Sequence, residues 1–279
     1  MTGLASALAC LLLCSGCSVL FDPLEQSLLY RPRPANPERL AALAREEGVE
    51  EVRIAAADGV RLHGFLKRAP AVRPGERYPV VIVFGGVLRE TSWMLTWGEK
   101  PAGWGWLIVN YRGYGLSEGR PSEYALLEDA KLIYDWAAAH ADVDAQNIVL
   151  LGRSLGAHVA VSLASARPVR AAILATPFDS LAAIGEKRYP LLPVGTLLNG
   201  RYDPASLAPA IRAPALFVLA EDDDVTPIEH GMALARAWGG TKKVVTLPGT
   251  GHRMLEWRQE YWSAIGDYLR LFGSGTVQK

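Results

Sequence analysis

The sequence predicts an α/β fold, with a mostly parallel central sheet, helices on both faces and an antiparallel hairpin at its N-terminal end. Three observations predict it. Short continuous apolar runs recur at 80–84, 106–109, 148–151, 172–174 and 215–219, and runs without alternation suit strands covered on both faces. Helix-spaced stretches separate several of these runs, an alternation that favours parallel strands wrapped by helices. Ahead of them, Val52, Ile54 and Ala56 alternate, as do Val60, Leu62, Gly64 and Leu66, around the turn pair Asp58-Gly59, which reads as a hairpin.

Each element follows from its local chemistry. Asn36-Pro37-Glu38 supplies an N-cap, a first-turn proline and an early acid for a helix over Leu40 to Glu47, stopped by Gly48. Ser122 caps a helix whose apolar positions are Leu126, Leu127, Ala130, Ile133, Tyr134 and Ala137. A last helix is expected to carry Met254, Trp257, Tyr261, Ile265, Leu269 and Phe272 on one stripe. Neither a repeat nor an internal linker interrupts the region, so 35–279 is expected to form a single domain.

The composition narrows the function. The chain has 279 residues, half of them hydrophobic, and its 29 Lys and Arg balance 29 Asp and Glu. No basic excess is available to neutralise phosphates, which argues against a nucleic-acid partner. All three cysteines, Cys10, Cys14 and Cys17, fall at the N-terminus, leaving no disulfide framework or cysteine metal site beyond them.

Met1 to Phe21 holds no charged side chain, and Leu4 to Cys14 is almost wholly apolar, about half of the roughly 20 residues a spanning helix needs. The small residues Ser15-Gly16 before Cys17 resemble the lipobox of bacterial lipoproteins. By that resemblance 1–16 is a signal peptide, Cys17 the lipidated anchor and 17–34 a tether. The expected location is the bacterial cell envelope, on the periplasmic face. An uncleaved anchor and plain secretion are the other readings of the same segment.

Gly152-Arg153-Ser154-Leu155-Gly156 carries the chemistry. The pattern is weak alone, but a buried-strand run, Asn147 to Leu151, precedes it and a small-residue helix, Ala157 to Ala166, follows. A serine on such a strand-to-helix turn has its hydroxyl pushed out above the sheet edge. It needs a base, oriented by an acid. Of five histidines, His63 is expected on a solvent-facing register, His140 at a helix end, His158 beneath the nucleophile and His230 at the surface or as a cap. His252 lies on a loop after the strand-like Val244 to Leu247, where α/β folds place reactive side chains. The acid comes from Glu221-Asp222-Asp223-Asp224; spacing cannot choose among the four, and a solvated charge run or a calcium site would use the same residues.

Asn110-Tyr111-Arg112-Gly113-Tyr114-Gly115-Leu116-Ser117-Glu118-Gly119, followed by Pro121-Ser122, resembles the loop after a central strand in α/β-hydrolases, closest to the BEM46-like group related to serine aminopeptidase-like enzymes. The resemblance spans about Gly48 to Leu271. It implies the α/β-hydrolase fold and a triad acid four residues before a proline; Pro227 then selects Asp223 over Asp222. It also implies two backbone donors for the oxyanion, the N–H of Leu155 and one from the loop Phe84-Gly85-Gly86-Val87, assigned to Gly86 with Val87 as the alternative. Where the family has His-Gly-Asn, this chain departs at Phe84 and Gly86, a change that backbone donors survive. Gly113-Tyr114-Gly115 does not continue as a dinucleotide fingerprint, because its third glycine is Gly119 and no strand-end acid follows at the required distance.

The expected activity is serine hydrolysis of a carboxylic ester or thioester through Ser154, His252 and Asp223, with no metal or organic cofactor. A small-molecule or acyl-bearing substrate is expected, in an open site, because 177–214 is too short for a lid domain. Trp93, Trp97, Trp104 and Trp106 are expected either in the core or lining an acyl site. A peptidase of the aminopeptidase-like type and a non-catalytic envelope-binding lipoprotein are the competing classes.

Overall fold

The computed structural model describes residues 29–32, 35–70, 72–73, 75–95, 101, 103–198 and 200–272. The expected signal peptide, Cys17 and most of the expected tether lie outside the described residues, as does Trp97. In chain order the elements are α1 (Pro37–Leu43), β1 (Val49–Ala55), β2 (Arg61–Lys67), β3 (Tyr78–Phe84), β4 (Gly105–Val109), α2 (Glu123–Ala139), β5 (Val143–Arg153) and α3 (Leu155–Ala166). Then come β6 (Ala171–Ala175), α4 (Leu181–Arg188), α5 (Val194–Leu197), α6 (Pro204–Leu207), β7 (Ala215–Ala220), α7 (Ile228–Ala237), β8 (Lys242–Leu247) and α8 (Gln259–Arg270).

The strands form one sheet in the order β1-β2-β4-β3-β5-β6-β7-β8. β1 pairs with β2, and β2 with β4, antiparallel; every later pairing is parallel. This is the α/β-hydrolase fold, mostly parallel and opened by an antiparallel hairpin. Alternation along the strands divides the core in two. Val80, Ile82 and Phe84 face a layer with Leu126, Ile133, Ala157 and Leu234 from α2, α3 and α7. Val81 and Val83 face Leu40, Leu43, Trp106, Tyr261, Ile265 and Leu269. Strands buried on both faces need side chains that are apolar throughout, which is why the sequence shows runs instead of alternation.

Three expectations need correction. His63 is buried, because β2 lies between β1 and β4 and the side of β2 that carries His63 and Phe65 is covered. The apolar stripe of α8 starts at Tyr261; Met254 and Trp257 precede it on a loop and a 3₁₀ turn and are exposed. The first helix ends at Leu43 instead of reaching Glu47. Segment 177–214 carries three short α-helices, α4 to α6, and a 3₁₀ turn at Ala208–Ala210, with no lid domain among the described residues. No helix of the described residues is long and apolar enough to cross a membrane.

Candidate active site

Position in the sheet sets the site. The chain leaves β3 for β4 on one side and returns to β5 on the other, so the carboxyl ends of β3 and β5 flank the switch in strand order where α/β sheets bind ligands. Phe84 is in register with Gly152, which brings the glycine loop after β3 beside the turn after β5. A methyl built on Gly86 would lie 3.8 Å from Cβ of Ser154.

Ser154 sits between β5 and α3 with φ 53° and ψ −122°, a left-handed backbone that costs a non-glycine residue free energy. Its N–H donates to the Ala175 carbonyl at 2.9 Å, and its own carbonyl accepts from Ala157 N–H at 2.9 Å. The flanking glycines are required by close approach: a Cβ on Gly152 would meet the Gly156 carbonyl oxygen at 2.4 Å, and one on Gly156 would meet that of Phe84 at 2.0 Å. The turn therefore forms only where two backbones nearly touch.

His252 and Asp223 arrive on the loops after β8 and β7, neighbours in the sheet. Nε2 of His252 lies 3.1 Å from Oγ of Ser154, and Nδ1 lies 2.8 and 3.0 Å from the two oxygens of Asp223. Glu221, Asp222 and Asp224 are exposed while Asp223 is buried, and Asp223 is the carboxylate that His252 meets. Burial alone would raise the Asp223 pKa, but the hydrogen bond and charge of His252, with the N–H groups of Thr226 and Val225, outweigh it and hold the carboxyl below its ordinary value. Those N–H groups donate to Oδ1 at 2.7 and 2.9 Å.

Thr226 is a residue that sequence reasoning missed. Its buried hydroxyl lies 3.0 Å from Oδ2 of Asp223, 3.2 Å from Nδ1 of His252 and 3.2 Å from the Thr176 carbonyl. Arg153 is a second: it donates to the His252 carbonyl at 2.8 Å and pairs with the buried Glu256. Position i+3 from the acid was the only local signal for Thr226. Arg153 had none, since its partners lie about 100 residues further along the chain.

The Asn110 to Ser117 motif braces the glycine loop from behind. Tyr111 donates to the Gly85 carbonyl at 2.9 Å and Tyr114 to the Val87 carbonyl at 2.7 Å. Asn110 accepts from Thr91 N–H at 2.7 Å and donates to Ser92 at 2.9 Å. With the loop held this way, the N–H groups of Leu155 and Gly86 have no acceptor among the described residues. Phe84, at the family's histidine position, is buried in the core.

The remaining histidines are occupied elsewhere. His158 binds Glu123 at 2.7 Å, and Glu123 also accepts the N–H groups of Arg201 and Tyr202, tying the segment before α6 to the molecule. His230 is buried, not superficial, with Nδ1 2.7 Å from Asp179, because the first turn of α7 packs onto the loop after β6. His140 caps α2. Trp104 and Trp106 are core residues, whereas Trp93 borders a cavity beside Gly86. No group of three or more His, Cys, Asp and Glu among the described residues could hold a metal ion.

Comparison with known proteins bears on the family and the fold. The model of the serine hydrolase family matches residues 130–270. The uncharacterized protein Rv2307c of Mycobacterium tuberculosis is 35% identical over 243 residues, covering 86% of this chain and 85% of that protein. The α/β-hydrolase domain-containing protein WAV2 of Arabidopsis thaliana is 29% identical, covering 72% of this chain and 69% of its own. Among solved structures, an esterase of Pyrococcus furiosus superposes with a TM-score of 0.66 at 18% identity, covering 88% of this chain and 97% of that one. The acetyl xylan esterase of a Paenibacillus species gives 0.66 at 18%, covering 94% and 93%. With a family model spanning half of it and a relative this similar over most of its length, the chain belongs to the serine hydrolase family of the α/β-hydrolase superfamily.

Proposed function

We propose that the protein cleaves a carboxylic ester or thioester through an acyl-enzyme formed on Ser154. The observation that carries this reading is the unbroken chain of hydrogen bonds from Ser154 Oγ through the His252 ring to Asp223. Oγ attacks the carbonyl carbon as His252 Nε2 accepts its proton, and Asp223 holds the ring with Nδ1 protonated. The carbonyl oxygen, now negative, receives the N–H groups of Leu155 and Gly86, each worth about 3 to 4 kcal/mol to such a transition state. Collapse breaks the bond to the alcohol or thiol, which leaves with the proton from His252. Water then adds by the same route and frees the acid and Ser154. The chemistry draws on side chains and backbone alone. Both structural neighbours named above are esterases, which supports an ester as the class of bond.

The test is labelling with a fluorophosphonate read by intact mass, on the parent chain and on Ser154→Ala and His252→Ala. One adduct on the parent and none on either variant supports the reading and justifies esters and thioesters of graded length as the next panel. A folded parent that takes no adduct sinks it and favours an envelope-binding lipoprotein. Turnover of peptides in place of esters would favour the aminopeptidase-like alternative.

We further propose that the chain belongs to the BEM46-like group and is held at the bacterial envelope through a lipid on Cys17. Labelled palmitate incorporated by the parent, and not by Cys17→Ser, would support the anchor; equal incorporation would exclude it.

A further inference from the structure

A cavity of about 340 Å³ opens beside the glycine loop, large enough for a small organic group. Gly86 and Arg153 form part of its wall, and Arg31, Arg89 and Arg253 also line it, with Glu256 as the one acidic side chain among the described residues. A methyl on Gly86 would lie 3.2 Å from Nη1 of Arg153 and 3.8 Å from Cβ of Ser154, so the cavity adjoins the nucleophile. Glu256 is matched by Arg153. Arg31, Arg89 and Arg253 form no ion pair among the described residues. A chain with no net charge thus gathers, at the mouth of its candidate site, three guanidinium groups with no ion-pair partner among the described residues.

One of these groups is held in place. Arg89 stacks on Trp93 with its guanidinium carbon 3.8 Å from the ring centroid; stacking uses the flat face and leaves the N–H edges free for a planar or tetrahedral anion. The backbone N–H of Arg31 lies 3.4 Å from the Val87 carbonyl of the glycine loop and 3.0 Å from the Tyr114 hydroxyl. Burial lowers the Arg89 pKa, Glu256 opposes this, and the like charges of Arg153 and Arg39 lower it further. Crowded like charges cost free energy that a bound anion would relieve.

We propose that this cavity is an anion subsite, selecting substrates that carry a carboxylate or phosphate a few bonds from the scissile acyl group. The proposal rests on the serine hydrolase reading for its place in the reaction. The anion itself is recognised by Arg89 and Arg253 at the mouth and by Nη1 of Arg153 within. Such pairing is strong when bidentate and weakens with salt. A soluble acyl compound with an acidic group and a lipid with a phosphate headgroup present the same chemistry.

The test measures the rate of fluorophosphonate labelling of the full chain against monomethyl glutarate, inorganic phosphate, and the neutral dimethyl glutarate. Vesicles of phosphatidylglycerol or of phosphatidylcholine form a second arm. In parallel, the melting temperature of Ser154→Ala is followed with the same soluble ligands. The expected result is protection and a raised melting temperature with the anions only, and an apparent affinity about tenfold weaker when Arg89→Gln and Arg253→Gln are combined. Protection by monomethyl glutarate supports a soluble acidic substrate; protection by phosphatidylglycerol alone supports the subsite with a lipid headgroup as the anion. Labelling that no anion slows, without a melting shift, overturns the subsite and leaves the hydrolase reading standing. If no adduct forms, that reading fails, and the melting temperatures decide the subsite alone: an anion-specific shift lost in the combined variant supports it, and no shift overturns it.

Discussion

The phenol of Tyr111 donates a hydrogen bond to the carbonyl of Gly85 at 2.9 Å, joining the loop after β4 to the glycine loop beside Ser154. Tyr111 is buried, so water cannot replace the lost donor, and an unpartnered carbonyl costs about 1 to 3 kcal/mol. Tyr111→Phe is expected to lower the unfolding free energy by about 1 kcal/mol. In ester turnover it should reduce kcat several-fold with KM little changed, because in the proposed mechanism the loop acts on the oxyanion and not on the bound ester. Urea denaturation beside steady-state kinetics checks both; a fall in KM-linked affinity alone would argue against a role through the loop.

Thr226 stands against both Asp223 and His252. Thr226→Val keeps the shape and removes the hydroxyl, so Asp223 loses one donor to its ionised form and its pKa rises toward the ordinary value. The acid limb of the pH–rate profile should move upward and kcat fall about tenfold. Thr226→Ser should restore the parent profile. A Val variant with an unshifted profile would reduce Thr226 to packing.

The split between what was legible and what was not follows the range of the interactions. Continuous apolar runs announced the sheet because burial on both faces is written locally in each strand. Ser154 was legible because its elbow needs glycine at 152 and 156 within one turn of chain. His252 was legible because a loop at a strand end has few roles. His63 and His230 were misplaced for the opposite reason: their burial is set by what lies across the sheet or against a helix, partners distant in sequence. Arg153 escaped notice in the same way. The stripe from Met254 to Phe272 kept helical spacing through Trp257, yet the helix begins only at Gln259; periodicity alone does not say where an N-terminus falls.

Asp223 makes acid stability measurable. Its folded pKa lies below the ordinary value, so the unfolded chain binds more protons as pH falls through about 3.9, where a free aspartate titrates. The stabilisation is therefore complete above that range and lost as pH drops through the folded value. Unfolding of the parent is expected to steepen with acid below about pH 4 more than unfolding of Asp223→Asn does. Denaturant titrations at several pH values check this, and parallel curves for the two proteins would refute it.

Ser154 pays for its position in backbone strain. Its φ of 53° and ψ of −122° are sparsely populated by any residue with a Cβ, and the geometry survives because Gly152 and Gly156 clamp the turn on either side. Ser154→Gly removes the Cβ that is strained, at the cost of a more flexible unfolded chain. The first effect is about 1 to 3 kcal/mol and the second about 0.5 to 1 kcal/mol, so the variant is expected to gain roughly 1 kcal/mol of stability while losing all fluorophosphonate labelling. Ser154→Ala keeps the Cβ and should lose the labelling without that gain. Comparing the two variants by thermal unfolding separates relief of strain from removal of the hydroxyl. If Ser154→Gly proves less stable than Ser154→Ala, the turn is not strained at this residue.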